Sequence, residues 1–422
     1  MLTIPEITGL DSYIGLIRIP PELTVPLTER VCRIIDTEAF RRLAKITQVG
    51  LVSLVYPAAR HTRFEHSLGV YRLALLFLKR LAHIKRFTEV IDKHSAELFI
   101  VTALLHDIGH FPYCHLIEDI KIAGMPSHEE LAARYILSGA IADILRKDWN
   151  IEPDEVVDLL TGKNGGKSPR LAASAVNLLS SILSGPIDID KLDYLFRDSL
   201  HAGVPYGRQL DQERLIGSLC INERGDGLAV TEKGKTAAEL MIFARYVMFS
   251  EVYWHHSVRS ATAMLQRLFA ELYRQGKIGI DQFFASAEDD AVRLLCTASQ
   301  GTPLSKLAEG LFGSRRRLYK RTAQYSILEE PQQYYQLAGK PYAYLCEAAD
   351  RLSESAGEPF SVLIDAPPVQ KEVEIKIDVY FPKRDSYAPL EDISPMVRAM
   401  AKEQFDDYTK QVRIFTYRKP QE

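Results

Sequence analysis

Apolar positions recur at helical spacing through the first two thirds of the chain. Val31, Ile34, Ile35, Phe40, Leu43 and Ile46 follow Thr28, a possible cap, and predict a helix over about 27–50. After Gly50 the run Leu51–Tyr56, closed by Pro57, reads as a short strand. A second helix is expected from Arg63 to about Ile84, carrying Leu68, Val70, Leu73, Leu76 and Phe77. A third runs from about Ser95 to Ile108, with Gly109 as its C-cap. The sequence SHEE, from Ser127, reads as an N-cap followed by acidic residues in a first turn. Residues 151–200 look helical around the loop TGKNGGKSPR. INERGDGLAV reads as a hairpin, and a further helix is expected from Ala237 to Tyr273.

Beyond that point the period changes to two. Val373, Ile375, Ile377, Val379 and Phe381 alternate with Glu372, Glu374, Lys376 and Asp378, which predicts a half-buried strand. Val412–Tyr417 is a second candidate strand. The expected fold is therefore mainly α. A helical core with its N-terminal segment occupies residues 1–275, and a smaller α+β C-terminal lobe occupies 276–422.

Composition narrows the function classes. The net charge is −3, from 52 Lys+Arg against 55 Asp+Glu, so neither nucleic acid nor a membrane surface is expected as the main partner. An anionic substrate would need a local basic patch. Five cysteines are scattered without a CxxC pair, which argues against a disulfide framework or thiolate zinc site and fits a reducing compartment. The opening MLTIPEITGLDSYIGL lacks the pattern of a signal peptide. Apolar runs such as Leu98–Leu105 are too short to span a bilayer. A cytoplasmic location is expected.

Eleven histidines are present, and eight of them lie between His61 and His128, so the distribution is uneven. In ALLHDIGHFPYCH the pair His106-Asp107 ends an apolar helix, where an unpaired carboxylate would be costly to bury. A cation is the simplest partner. His66, in RFEHSLG, can supply a further imidazole. Asp188, Asp190 and Asp193, in GPIDIDKLDYLFRDS, offer carboxylates. Two nitrogens and two oxygens make a borderline donor set that suits Mn, Fe, Mg, Zn, Co or Ni. His61, His83, His94 and His201 are expected to be solvated.

The order H…HD…D, together with IIDTEAFRRLAKITQ, RFEHSLGV, LLHDIGH, SHEE and IDIDKLDYLFRDS, resembles the deoxynucleoside triphosphate triphosphohydrolase branch of the HD superfamily. The likeness covers about residues 10–275 strongly and the C-terminal lobe weakly. It implies an HD-domain helical core and hydrolysis of a dNTP at the α-phosphorus to deoxynucleoside and inorganic triphosphate. It places one divalent metal per subunit on His66, His106, Asp107 and Asp190, with additional Mg possible on the nucleotide. His110 falls where the family has a histidine against the α-phosphate. His115 falls at the general acid, Glu118 at a carboxylate that orients it, and His128 and Glu129 at a second histidine–carboxylate pair. Arg63, Lys191 and Arg245 match phosphate contacts. Tyr194 and Tyr253 match the sugar-lining aromatics, and Gln48 and Asp198 match residues that bind the 3′ hydroxyl. His255 also has a counterpart. Phe249 departs from the branch, which has a histidine there.

The resemblance also implies a homo-oligomer, a tetramer in particular, switched on by GTP or dNTP activators. Asp36 matches a base-reading residue of a regulatory pocket. Arg214, Lys233, Arg316 and Lys320 match phosphate-binding positions of such pockets. Arg41, Ala44 and Thr231 depart from the regulatory pattern, so the activator is left open. The N-terminus is too short for a sterile-alpha-motif domain before the matched region. Two alternatives are weighed: another HD phosphohydrolase, such as a phosphodiesterase or nucleotidase, and a non-catalytic nucleotide sensor or nucleic-acid binder that keeps the fold.

Overall fold

The Thr62 hydroxyl accepts the Glu65 amide and starts a helix over Arg63–Leu81. That helix packs against two others, Lys93–Leu105 and Ile189–Ala202, capped by Asp92 and Asp188. Pro153–Thr161 and Ala173–Ser184 close over the Lys93–Leu105 helix. Every residue from Leu98 to Leu105 is buried, because this helix is enclosed on all sides. The computed structural model describes residues 4–12, 15–162, 172–367, 376–402 and 409–418.

A second apolar core forms around the helix His256–Arg274. Leu265, Leu268 and Phe269 meet Phe283, Leu295, Leu307 and Leu311 from the following helices, and Phe415 from a strand. Phe111, Cys114 and Ile117 belong to this second core, whereas Leu104, Leu105 and Ile108 belong to the first. The chain carrying His106, Asp107, His110 and His115 thus crosses the seam between the cores. Each fully buried Leu or Phe contributes about 1.5–3 kcal/mol, so this crossing is fixed from both sides.

Two sheets complete the molecule. Leu219–Ile221 and Leu228–Thr231 pair antiparallel, as the hairpin pattern predicts. Asp378–Phe381 then adds parallel to Leu228–Thr231, with Ser386–Pro389 outermost. This sheet joins residues on both sides of position 275. In the other sheet Val412–Thr416 is central, antiparallel to Lys320–Tyr325 and Val362–Asp365. Arg259 forks onto Asp365 with both groups buried, tying the long helix to that sheet.

The chain is mainly α, but several elements differ from the sequence reading. The helix expected over 27–50 is broken into Glu29–Ile35, Glu38–Arg42 and a 3₁₀ turn, Leu43–Lys45. Thr37 accepts the Phe40 amide and restarts the chain there. The apolar run after Gly50 is a 3₁₀ helix, Gly50–Leu54, not a strand; a short apolar run carries no period that separates the two. The helix expected over 237–273 is interrupted by a π-helical turn, Met248–Tyr253, between Lys235–Val247 and His256–Arg274.

The third helix ends at Leu105, so Gly109 is not its cap. A Cβ on Gly109 would stand 2.0 Å from the His128 carbonyl oxygen and 2.3 Å from the Ala132 amide nitrogen. The glycine lets the turn approach the His128–Ile136 helix, which begins in a Ser127–Glu130 capping box. The alternating positions Val373 and Ile375 lie outside the described residues. No helix among the described residues is long and apolar enough to cross a membrane.

Candidate metal centre and active site

A short ladder delivers the first residues of the site. Thr47 bridges to Thr62, the Gln48 amide donates to the His61 carbonyl (2.9 Å), and the Arg63 amide donates to that of Ile46 (3.0 Å). Gln48, His61 and Arg63 therefore enter the site together. Arg63 Nη1 donates to Asp107 Oδ2 at 2.8 Å, both groups buried.

The four expected metal donors converge. His66 Nε2 lies 3.0 Å from Asp190 Oδ1, 3.2 Å from His106 Nε2 and 3.9 Å from Asp107 Oδ2. His106 Nε2 lies 3.4 Å from Asp107 Oδ1 and 3.9 Å from Asp190 Oδ1. The other imidazole nitrogens are occupied: His66 Nδ1 by Asp193 (2.8 Å) and His106 Nδ1 by the Ala103 carbonyl (2.9 Å). Both Nε2 atoms are thereby turned inward, the arrangement that second-shell partners impose on metal-ligating histidines. The donor spacing and chemistry fit one divalent cation of the first transition row or Mg.

Electrostatics agree. Burial alone would raise Asp107, but His110, His106 and Arg63 around it hold its carboxyl well below the usual range. Burial opposes charge on His66 too, yet Asp190 and Asp193 push it up to about 10. A cation entering there displaces that proton. Asp193 is forked by Arg197, which also reaches Glu65 (2.6 Å). A Cβ on Gly69 would overlap this pair, at 1.9 Å from Asp193 Oδ1.

A second histidine group adjoins the donors. Burial and the charge of Arg63 lower His110 well below the usual histidine range. Its Nε2 is 3.3 Å from His115 Nε2, and its ring lies 4.2 Å from that of His128. Glu118 grips His128 Nδ1 at 2.9 Å and accepts its amide at 2.7 Å, but lies 3.8 Å from His115. Glu129 is 3.4 Å from His128 Nε2. Glu118 therefore holds His128 more closely than His115. Burial disfavours charge on His128, but Glu118 and Glu129 outweigh it and raise the pKa.

These groups open into a cavity of about 560 Å³, lined among others by Gln48, Arg63, His115, Asp190, Tyr194, Asp198, Phe249 and Tyr253. Asp198 accepts the Tyr253 hydroxyl and lies 2.8 Å from His61 Nε2. Burial raises both tyrosine phenols, so they stay protonated. Phe249 packs edge-on to Tyr253, with the Arg245 guanidinium 5.8 Å from its ring. Lys191 is not a lining residue; it is tied to Asp188 and to the Gly185 carbonyl (3.1 Å). His255 caps the long helix by accepting the Ser257 amide.

The solvated reading fails for His61, which is 4% exposed. His201 and His94 also have partners, Glu65 (2.9 Å) and Glu155 (3.2 Å). Sequence reasoning missed two more residues. Arg42 donates to the carbonyls of Ile108 and His110, both at 2.8 Å, and braces the turn that carries Asp107 and His110. Glu288 accepts the Thr47 amide (2.9 Å) and hydroxyl (2.6 Å), anchoring the segment that bears Gln48. Neither carries a local signal, since each acts across more than sixty positions.

The regulatory positions are exposed and scattered. Asp36 ends the Glu29–Ile35 helix. Arg214 donates to the Lys233 carbonyl at 3.3 Å. Arg316 and Lys320 line a separate cavity of about 550 Å³ with His256, Arg317, Arg321 and Arg418.

Comparison with known proteins agrees with this geometry. A profile of the HD domain matches residues 63–195, and one of the HD associated region matches 210–421. An uncharacterized protein of Methanocaldococcus jannaschii is 31% identical over 379 residues, covering 89% of this chain and 73% of its own length. The SAMHD1 homologue of Dictyostelium discoideum, a deoxynucleoside triphosphate triphosphohydrolase by name, is 28% identical over 276 residues. That match covers 63% of this chain and about half, 52%, of the relative. A crystal structure of a hypothetical protein from Aquifex aeolicus superposes with a TM-score of 0.72 at 28% identity, over 95% of this chain and 96% of the other. The chain belongs to the HD-domain family, with an HD associated region after the HD domain, and its His/Asp cluster can hold the divalent metal of that hydrolase superfamily.

Proposed function

We propose that the protein hydrolyses deoxynucleoside triphosphates to deoxynucleoside and inorganic triphosphate. One observation carries the reading. Three of the four expected metal donors, His106, Asp107 and Asp190, line one cavity with Gln48, Asp198, Tyr194 and Tyr253, a set suited to a sugar hydroxyl and an aromatic-walled furanose, and the fourth, His66, lies 3.0 Å from Asp190. A phosphatase of non-nucleotide esters has no need of such a wall, and a cyclic-nucleotide phosphodiesterase meets a sugar whose 3′ oxygen is esterified, so it has no free 3′ hydroxyl for Gln48 and Asp198 to bind.

Arg63, poised on Asp107 at the cavity edge, is available to an α-phosphate oxygen, and neutral His110 faces the same point. A divalent cation on His66, His106, Asp107 and Asp190 supplies Lewis-acid activation of phosphate and water. Water oxygen bonds to the α-phosphorus as the bond from phosphorus to the 5′ oxygen breaks. His115 Nε2, which meets His110 in the free protein, gives its proton to the departing 5′ oxygen. Glu118 and Glu129 favour the charged form of His128 beside it. Tyr194 and Tyr253 pack against the furanose and leave little room for a ribose 2′ hydroxyl. Lys191 and Arg245, which do not line the cavity, are assigned to the triphosphate as further cations.

The cationic second cavity supports a regulatory reading. Arg316 and Lys320 there, with Arg214, Lys233 and Asp36 elsewhere on the surface, would take GTP or dNTP activators between the subunits of a homo-oligomer, a tetramer in the fullest form. The test is direct. Metal-loaded protein is incubated with each dNTP, alone and with GTP or a second dNTP, and the phosphate product is identified. Triphosphate release that disappears in His66→Ala supports the reading. Pyrophosphate or orthophosphate as first product rules it out.

A further inference from the structure

His61 does not line the cavity, yet its side chain is fully buried against a residue that does. Its Nε2 lies 2.8 Å from Asp198 Oδ1, while the Tyr253 hydroxyl takes Asp198 Oδ2. The two donors come from different segments. Tyr253 ends the π-helical turn Met248–Tyr253, and His61 ends the loop before the Arg63–Leu81 helix. Asp198 itself sits on the Ile189–Ala202 helix. Three segments thus fix one carboxylate.

The tautomer follows from the surroundings. His61 Nδ1 is buried without a hydrogen-bond partner among the described residues. A buried N–H left unpaired is costly, so the proton belongs on Nε2, where Asp198 accepts it. The ring cannot turn away. It stacks on His201, with centroids 4.4 Å apart and planes 13° from parallel, and Glu65 holds His201 at 2.9 Å. Its backbone is held as well, since its carbonyl accepts the Gln48 amide at 2.9 Å. The same residue therefore touches both groups read as the 3′-hydroxyl site, one through its ring and one through its carbonyl.

We propose that His61 is a positioning residue for discrimination at the sugar 3′ position: it sets the Asp198 carboxylate that accepts a 3′ hydroxyl. This rests on the dNTP reading of the cavity. Without the His61 N–H, one Asp198 oxygen is released and the carboxylate turns about its last bond toward water. A substrate with a 3′ hydroxyl then loses its preset acceptor, and a substrate lacking that hydroxyl loses nothing.

The experiment compares wild type, His61→Ala and His61→Gln, measuring KM and kcat for a dNTP and the inhibition constant of the matching 2′,3′-dideoxynucleotide. Competition reads binding whether or not the analogue is turned over. His61→Ala is expected to raise the dNTP KM about tenfold or more, the scale of a lost hydrogen bond to a charged group. The dideoxynucleotide constant stays within about threefold in that variant, because the lost contact serves only the 3′ hydroxyl. His61→Gln, whose Nε2 can donate from nearly the same place, recovers most of the dNTP affinity and also serves if the alanine variant does not fold. Equal weakening of both ligands, or a fall in kcat with KM unchanged, would overturn the proposal. Wild type with no dNTP turnover instead overturns the dNTP reading, and this inference with it.

Discussion

The two cavities hold their charges in opposite ways. In the metal centre every charged group is answered by another: Asp107 by Arg63, His66 by Asp193, Asp193 by Arg197, and Arg197 by Glu65. Most of these side chains are buried, and all the pairs but Asp193–Arg197, which are one helical turn apart, join distant segments. In the second cavity His256, Arg316, Arg317, Lys320, Arg321 and Arg418 gather, with no carboxylate in the lining among the described residues. The first cavity is neutralised and pre-organised before any ligand arrives, so its electrostatic cost is met during folding. The second gathers positive charge that an arriving anion would relieve. Chemistry needs the first arrangement, and reversible binding of a charged ligand needs the second.

Breaking the first arrangement at a donor gives the largest effect. Asp190→Ala removes one of four donors, and dNTP turnover should fall at least about a thousandfold as the cation is lost or misplaced. Metal analysis of the purified variant should show sub-stoichiometric content. Full metal with full activity would remove Asp190 from the donor set. Asp193→Asn keeps all the expected donors but replaces the charged acceptor of His66 Nδ1 with a neutral, weaker one and leaves Arg197 with less compensation. Metal affinity should weaken about 10- to 100-fold. Leaving a buried charge short of its partner should also cost about 3–5 kcal/mol of stability. Metal titration and denaturant unfolding measure the two separately, and a loss of stability with unchanged affinity would make Asp193 merely structural.

The same contrast explains what the sequence could reveal. The convergence of His66, His106, Asp107 and Asp190 was legible because candidate metal donors are rare residue types in a fixed order, set where helices begin or end. Gln48, Tyr194, Asp198 and Tyr253 were legible only through resemblance. The supporting groups were not legible at all. His61 looked like any solvated histidine, since its burial depends on the Thr47–Thr62 bridge and the stack on His201. Arg42 and Glu288 act on backbone atoms, which leave no trace in residue type. Helix existence followed from apolar spacing, whereas the breaks at Asp36-Thr37 and Met248–Tyr253 came from capping and an inserted π turn that spacing does not encode. The regulatory positions, being exposed, left nothing in the apolar pattern.

A smaller effect is expected between the two extremes, at the half-buried histidine group. His128 is raised above the ordinary histidine value by Glu118 and Glu129 against the pull of burial. A raised pKa means that the charged form, and whatever depends on it, is fully present at low pH and is lost as pH rises through the folded value. Catalysis assisted by charged His128 should therefore show an alkaline limb. Glu118→Gln removes the closest carboxylate, so that limb should move to lower pH, with the metal content unchanged. A pH–rate profile of kcat/KM reads this. A limb that stays in place would mean that the charge on His128 does not enter the rate.

The smallest effect on basal turnover should come from the second cavity. Arg316 and Lys320 touch none of the metal donors, and both are exposed. The double change Arg316→Glu, Lys320→Glu should leave unstimulated turnover within about twofold, as surface substitutions away from a site generally do. Its effect should appear only when GTP or a second dNTP is added. Wild-type binding of the added nucleotide should weaken steeply as salt is raised, because several cations face one polyphosphate. The reversed variant should show neither the stimulation nor the salt-sensitive binding. Retained stimulation would free this cavity from a regulatory role and shift attention to Arg214 and Lys233, whose contact through the Lys233 carbonyl already brings two exposed cations together. Loss of unstimulated turnover along with stimulation would instead tie the second cavity to the first, and the division of labour between a neutralised centre and a charged one would no longer hold.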